Sequence, residues 1–288
     1  MMRKPVFFLL TLIILTGLAC SVNVNLPATQ VKTGPLVTED VNVPVPDASS
    51  IDVTFALGAG ELTLSPNAED GLVQGTIVYN VPDFKPELTT QDGMISLEQG
   101  DLNLVGIPQF DEEVENQWDL KLGNAPMTLR INAGAYVGKY DLGGLSLENL
   151  YISDGAADVN LDFSAPNLVE MGVLDYSTGA SNLTLTNLAN ANFSALIFSS
   201  GAGNYTLDFS GEFQRDANAK IEAGLSTVRI LVPEGMNVTL TFEGGLTNVS
   251  ANGNWEKLNA TTYVQTGEGP TLTITVEMGA GNLELANP

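Results

Sequence analysis

Histidine is absent from the 288 residues, cysteine occurs once, aromatic residues make up 7%, and 11 Lys+Arg stand against 34 Asp+Glu. Each shortage excludes a class of function. Without histidine the chain lacks the commonest general base and the commonest transition-metal ligand, and one Cys can build neither a disulfide framework nor a thiolate zinc site. His-dependent hydrolases, zinc enzymes and CxxC redox proteins are therefore excluded, and no cofactor is implied. A formal charge of -23 repels the phosphate backbone that supplies most nucleic-acid affinity, which removes DNA and RNA as partners. With 44% hydrophobic and 16% charged residues, the composition is that of a folded chain.

The N-terminus supplies an address. MMRKPVFFLLTLIILTGLAC places Arg3 and Lys4 before an apolar run and ends on small residues and Cys20, the pattern of a secretory signal peptide over 1–19. As a retained span, Val6 to Ala19 is too short, since a bilayer core needs about 20 apolar residues. The only cysteine follows the apolar region directly, in Gly17-Leu18-Ala19-Cys20, which resembles a bacterial lipobox. Gly17 departs from the usual Leu three positions before the Cys, and a plain signal-peptidase cut remains the alternative. The lipobox resemblance implies an acyl anchor at Cys20 and an extracytoplasmic place on the bacterial cell membrane. Residues 20–47, with Pro27, Pro35, Pro44 and Pro46 among Val, Thr and Asn, read as an extended tether.

Beyond the tether one frame recurs: an alternating segment, a glycine followed by a small or apolar residue, a polar position, then apolar residues at +4, +6 and often +8. The glycines are Gly58, Gly134, Gly155, Gly179, Gly201, Gly224, Gly245 and Gly279. Alternation on both sides, as in Leu150 and Ile152 before Gly155 and Val159, Leu161 and Phe163 after it, gives two short strands, each burying one face. Two strands joined at a glycine corner make one coil of a solenoid, with stacking between coils supplying the stability. The residues at +3 (Glu61, Asp158, Asn182, Asn204, Thr227, Asn248, Asn282) fall at the corner, where stacked Asn side chains can form a hydrogen-bonded ladder. The spacing predicts an all-β, parallel β-helix-like solenoid of about eight Gly-Ala-containing repeats in a single domain over 48–288. Insertions are expected at about 106–128 and 252–270, and a large antiparallel β-sandwich is the rival.

The junctions LGAGELTLSP, GAADVNLDF and GAGNYTLDFSG and the closing TLTITVEMGAGNLEL resemble those of the bacterial toast-rack and putative-adhesin group of β-solenoids. That group is related to the extracytoplasmic domain of LiaF-like envelope-stress regulators. The resemblance implies a surface-exposed, anchored domain in adhesion, sensing or interaction. This chain lacks the several transmembrane helices of LiaF-like regulators, which weakens a signalling role.

Candidate site residues are few. Carbohydrate-active β-helices use carboxylates beside Arg or Lys on an exposed sheet, and Asp158, Asp162, Asp175 and Asp208 with Arg130, Lys139 and Arg229 are the residues available here; a solvated face is the competing reading. Asp111, Glu112, Glu113 and Glu115 could offer oxygen ligands to Ca²⁺, although they lack the spacing of an EF-hand loop. Trp118 and Trp255, both in the expected insertions, are either partner anchors or caps over an open end of the solenoid. The expected function is that of a non-enzymatic, lipid-anchored envelope protein whose acidic β-surface meets an envelope protein or a glycan. A carbohydrate-active enzyme and an accessory stress sensor are the alternatives.

Overall fold

In the computed structural model the described residues are 28–69, 71–101 and 107–288; the leader and Cys20 lie outside them. The strands are β1 (Ala28–Val31), β2 (Val37–Val43), β3 (Asp52–Pro66), β4 (Val73–Tyr79), β5 (Glu87–Gln91), β6 (Met94–Glu98), β7 (Ile107–Phe110) and β8 (Asn116–Leu122). They continue as β9 (Met127–Asp141), β10 (Leu147–Asp162), β11 (Met171–Thr186), β12 (Phe193–Asp208), β13 (Ala217–Leu231) and β14 (Met236–Ala251). The last three are β15 (Glu256–Lys257), β16 (Thr262–Gln265) and β17 (Glu268–Ala286). No helix among the described residues is long and apolar enough to cross a membrane.

The chain divides into two units. The smaller comprises Met1–Lys32 and Asn103–Glu113. Its described part is a parallel pair, β1 with β7, in which the Gln30 side-chain amide donates to Gln109 Oε1 at 2.9 Å. The larger comprises Thr33–Leu102 and Val114–Pro288, and everything below concerns it unless stated.

Its sheet runs in the order β15-β16-β14-β17-β13-β12-β11-β10-β9-β3-β8-β4-β2, with β5 and β6 continuing from β3. From β3 to β14 the long strands are all parallel. The fold is an all-β solenoid, and the sandwich reading falls away. The two short strands expected on either side of each glycine are one strand of 15–19 residues passing through it. The Cα ladder omits each glycine pair: Asp154 faces Thr178 and Ala156 faces Ala180, with Gly155 and Gly179 between them. Burial also slips phase there. In β10, Leu150, Ile152 and Asp154 are buried before the glycine and Val159 and Leu161 after it, with residues 155–158 largely exposed. A bend that keeps one interior on its concave side requires this one-residue slip.

The glycines stack in a single row. A Cβ built on Gly134 would lie 2.3 Å from the Gly58 carbonyl oxygen, one on Gly179 2.4 Å from that of Gly155, and one on Gly224 2.4 Å from that of Gly201. Successive backbones approach too closely for any side chain, so glycine is required by contact and not by φ at these positions. Their spatial order departs from their chain order: Gly279 follows Gly224, and Gly245 follows Gly279. The closing strand β17 is inserted between β13 and β14, pairing in parallel with both.

Two further expectations are corrected. The tether of 20–47 includes β2, which pairs antiparallel with β4 and buries Val41 and Val43, because Val37 to Val43 alternates apolar and polar residues as a strand does. The insertion at 106–128 contains β8, a strand of the main sheet lying between β3 and β4 with strictly alternating burial. The segment 252–270 holds β15 and β16, an antiparallel pair that closes the first half of β14.

Return turns are pinned by asparagine. Asn167 is buried, its amide donating to the Leu147 and Val169 carbonyls while its Oδ1 accepts from the Leu147 N–H at 2.8 Å. Asn190 bonds the Phe163 carbonyl and the Glu212 N–H in the same manner. Phe163, Leu188, Phe209 and Val232 close the core at these turns.

Candidate functional site: the glycine corner

Residues in register on successive strands form rows along the corner, and each row has its own chemistry. Immediately after the glycine runs Ala59, Ala135, Ala156, Ala180, Ala202, Leu225, Ala280 and Leu246. Leu225 and Leu246 are 68% and 85% exposed, so the ridge is apolar and solvent-facing. The +3 row is Glu61, Val137, Asp158, Asn182, Asn204, Thr227, Asn282 and Asn248. The asparagine ladder forms between Asn204 Nδ2 and Asn182 Oδ1 at 2.9 Å.

Two positions before the glycine, Glu222, Glu277 and Glu243 lie side by side on β13, β17 and β14. With Ser199 and Met278 they line an open concavity of about 550 Å³. Lys220 lies 2.5 Å from Glu222 and 3.5 Å from Glu277. Its hydrogen bond holds the Glu222 carboxyl below the usual range, and the same contact raises the Lys220 ammonium. One cation thus pairs with two of the three carboxylates in the row.

Beneath the corner, on the concave side, Asp154 is buried. Its Oδ2 accepts from Tyr176 Oη at 2.8 Å and Tyr136 Oη at 3.4 Å, and its Oδ1 from Thr178 Oγ1 and from Ser181 Oγ at 3.3 Å. Ser181 Oγ also accepts the Ala157 N–H at 2.9 Å, tying this cluster to the bend. Burial raises the phenols of Tyr136, Tyr140 and Tyr176, and the neighbouring acid adds to it. The carboxylate is therefore held by hydroxyl donors, and among the described residues it forms no ion pair. Sequence reasoning missed this cluster; the one available signal was an acid, Asp154, at an inward position of an alternating strand.

The residues singled out from sequence are not brought together. Trp118 is 1% exposed and lies in the core of β8, with its indole N–H donating to Asn116 Oδ1 at 3.0 Å, so it is neither anchor nor cap. Trp255, between β14 and β15, is half-buried and its Nε1 is enclosed without a hydrogen-bond partner. Asp111, Glu112 and Glu113 are exposed in the smaller unit, while Glu115 belongs to the larger and bonds the Gln117 amide at 2.9 Å. Among the described residues no group of three or more His, Cys, Asp or Glu is arranged to hold a metal ion.

Two of the four carboxylates considered for glycan chemistry brace local structure. Asp162 accepts from Thr186 Oγ1 and Asn187 Nδ2, and Asp208 from the N–H and Oγ of Ser210. Arg130, Lys139 and Arg229 pair with Asp52, Glu61 and Glu284 of adjacent strands at 3.1, 3.6 and 3.7 Å. Arg130 also stacks on Tyr151, 4.4 Å from the ring centroid.

A parallel solenoid bent at a row of glycines and faced with short-period polar rows defines the class of protein. Residues 32–173 match the family model described as the N-terminal domain of toast_rack, DUF2154, the group that the glycine junctions resemble. No curated protein matches the sequence. Among solved structures, a "putative cell adhesion protein" from Clostridium sporogenes is 19% identical and shares the fold, with a TM-score of 0.52 over 88% of this chain and 100% of that one. A "putative lipid binding protein" from Parabacteroides distasonis is 9% identical, covering 89% and 100% at a TM-score of 0.40. A "putative adhesin" from Parabacteroides merdae is 12% identical, covering 89% and 99% at 0.36.

Proposed function

We propose that the protein is a non-enzymatic, lipid-anchored protein of the bacterial cell envelope that presents the acidic, outward rows of its solenoid to an envelope protein or a glycan. The observation that carries this reading is the in-register row of Glu222, Glu277 and Glu243 beside a single lysine, a surface repeated by stacking and open to a large partner. The pairing of Arg130, Lys139 and Arg229 with acids on neighbouring strands supports a non-enzymatic reading, since it ties these three cations into ion pairs that spread charge along the sheet. The toast-rack match is in keeping with a displayed domain. Cys20, ending Gly17-Leu18-Ala19-Cys20, supports the anchor; two or three acyl chains at about 0.8 kcal/mol per buried methylene hold a protein on a membrane stably.

Two measurements test it. Cys20→Ser should move the protein from the membrane to the soluble fraction and abolish labelling by a fatty-acid probe; unchanged fractionation removes the anchor. Replacing Glu222, Glu243 and Glu277 together with Gln should abolish binding of the purified protein to envelope material from its host. Unchanged binding removes the acidic row, and turnover of any glycan in a degradation panel removes the non-enzymatic reading.

A further inference from the structure

The free edges of the large sheet differ in how they are guarded. An unpaired strand edge invites another strand, and folded proteins blunt it with charge or proline. Edge β2 carries Glu39 and Asp40 and is followed by Pro44 and Pro46. Edge β5 begins at Glu87 and is followed by Asp92, and edge β15 is itself Glu256–Lys257. The second half of β14 has none of these devices. Strand β16 covers only Val238–Thr241, so among the described residues nothing pairs with the outer edge of Leu246–Ala251.

Residues 244–255 carry no charge and no proline in a chain of net charge -23. Leu246 is 85% exposed, and Val249, which occupies the row of the buried Val228 and Leu283, is left half-buried because no further strand covers it.

We propose that this edge is the contact for a second copy of the chain, joined tail to tail about a twofold axis, with the two Leu246–Ala251 segments antiparallel and centred on Val249. Absence of charge argues for self-association: two copies that repel everywhere else meet here without bringing like charges together. Centring on Val249 places Thr247 of one copy opposite Ala251 of the other, keeps inward rows opposite inward rows, and closes each half-open core with the other's valine. The guarded edge at β2 blocks head-to-tail addition, so the contact closes as a dimer and does not grow into a filament. It goes beyond the envelope reading above and holds whether or not Cys20 is acylated.

The test uses the full chain with Cys20→Ser, so that an introduced thiol is the only one. Residues directly opposed in an antiparallel pair have Cα atoms about 4.5–5.5 Å apart, within disulfide range. Val249→Cys should therefore give a dimer band on mild oxidation, while Asn160→Cys, on an outward row far along the stack, should give none. In sedimentation velocity the parent should show concentration-dependent dimer, and Leu246→Lys, at an exposed side chain that cannot disturb folding, should raise its dissociation constant about tenfold or more. A monomer at every concentration, equal cross-linking at both positions, or open-ended polymers would each overturn the proposal. So would capture of a heterologous extended peptide along 246–251 in place of the second copy.

Discussion

The concave and convex sides of the glycine corner are built from the same strands and obey opposite rules. Immediately before the glycine, on the concave side, the row reads Leu57, Ala133, Asp154, Thr178, Ser200, Ala223, Met278 and Gly244. Each residue there is chosen against its neighbours in adjacent coils, and the one acid is held by four hydroxyl groups. One residue earlier, on the convex side, the row passes through Ser153, Ser177, Ser199, Glu222, Glu277 and Glu243, half-buried or exposed residues whose contacts stay on the surface, as between Glu222 and Lys220. The difference teaches where the chain is free to vary. Inward rows carry the stability of the stack, and outward rows are free to vary without disturbing it.

Breaking the concave side should cost most. Phe198 is fully buried, with its ring 6.0 Å from Tyr176 and 5.2 Å from Tyr205, and Phe198→Ala should lower unfolding free energy by about 3–5 kcal/mol in a urea titration. Gly179→Val should cost about 3 kcal/mol, since its Cβ would lie 2.4 Å from the Gly155 oxygen. A variant as stable as the parent would show that the glycine row is not in contact.

Alkaline pH should sharpen the contrast. Burial raises Tyr136, Tyr140 and Tyr176, and burial together with the neighbouring Glu39 pushes Tyr79 up to about 12. An unfolded chain ionises its tyrosines near pH of about 10, so there the unfolded state binds fewer protons than the folded one. Stability is therefore complete below that pH and falls as pH rises above it. Tyr176→Phe should flatten the fall between pH 9 and 11, and an unchanged slope would remove Tyr176 from the cause.

The convex side should give the smallest effect. Glu222→Gln, Glu243→Gln and Glu277→Gln should each change stability by no more than about 0.5 kcal/mol, as exposed substitutions do. Large destabilisation by any of them would mean that the outward row is structural.

Much of the corner was legible because its signals are local. Residues at +4 and +6 from the repeat glycines are buried as the period predicts at every copy but the Gly245 one, and Asn182 and Asn204 form the expected ladder. The first third was misjudged because β2, β4, β5, β6 and β8 lack the glycine frame and mix antiparallel with parallel pairing. Trp118 therefore read as a loop residue while alternating inward with Leu120 and Leu122. Asp154 went unnoticed because its partners come from the two neighbouring strands, β9 and β11, and nothing in the sequence around it says which hydroxyls will face it.

By itself, the sequence determined the phase of the strand on either side of each glycine, the glycine row and the inward and outward positions, since each follows from backbone geometry within one repeat. Only the tertiary structure decided the order of the coils. Strands β14 and β17 carry the same frame, and either could lie against β13 without disturbing a single row. That β17 takes the place, leaving β14 half covered at the end of the stack, is settled by how the 252–270 segment folds back as β15 and β16, and local periodicity does not encode long-range pairing.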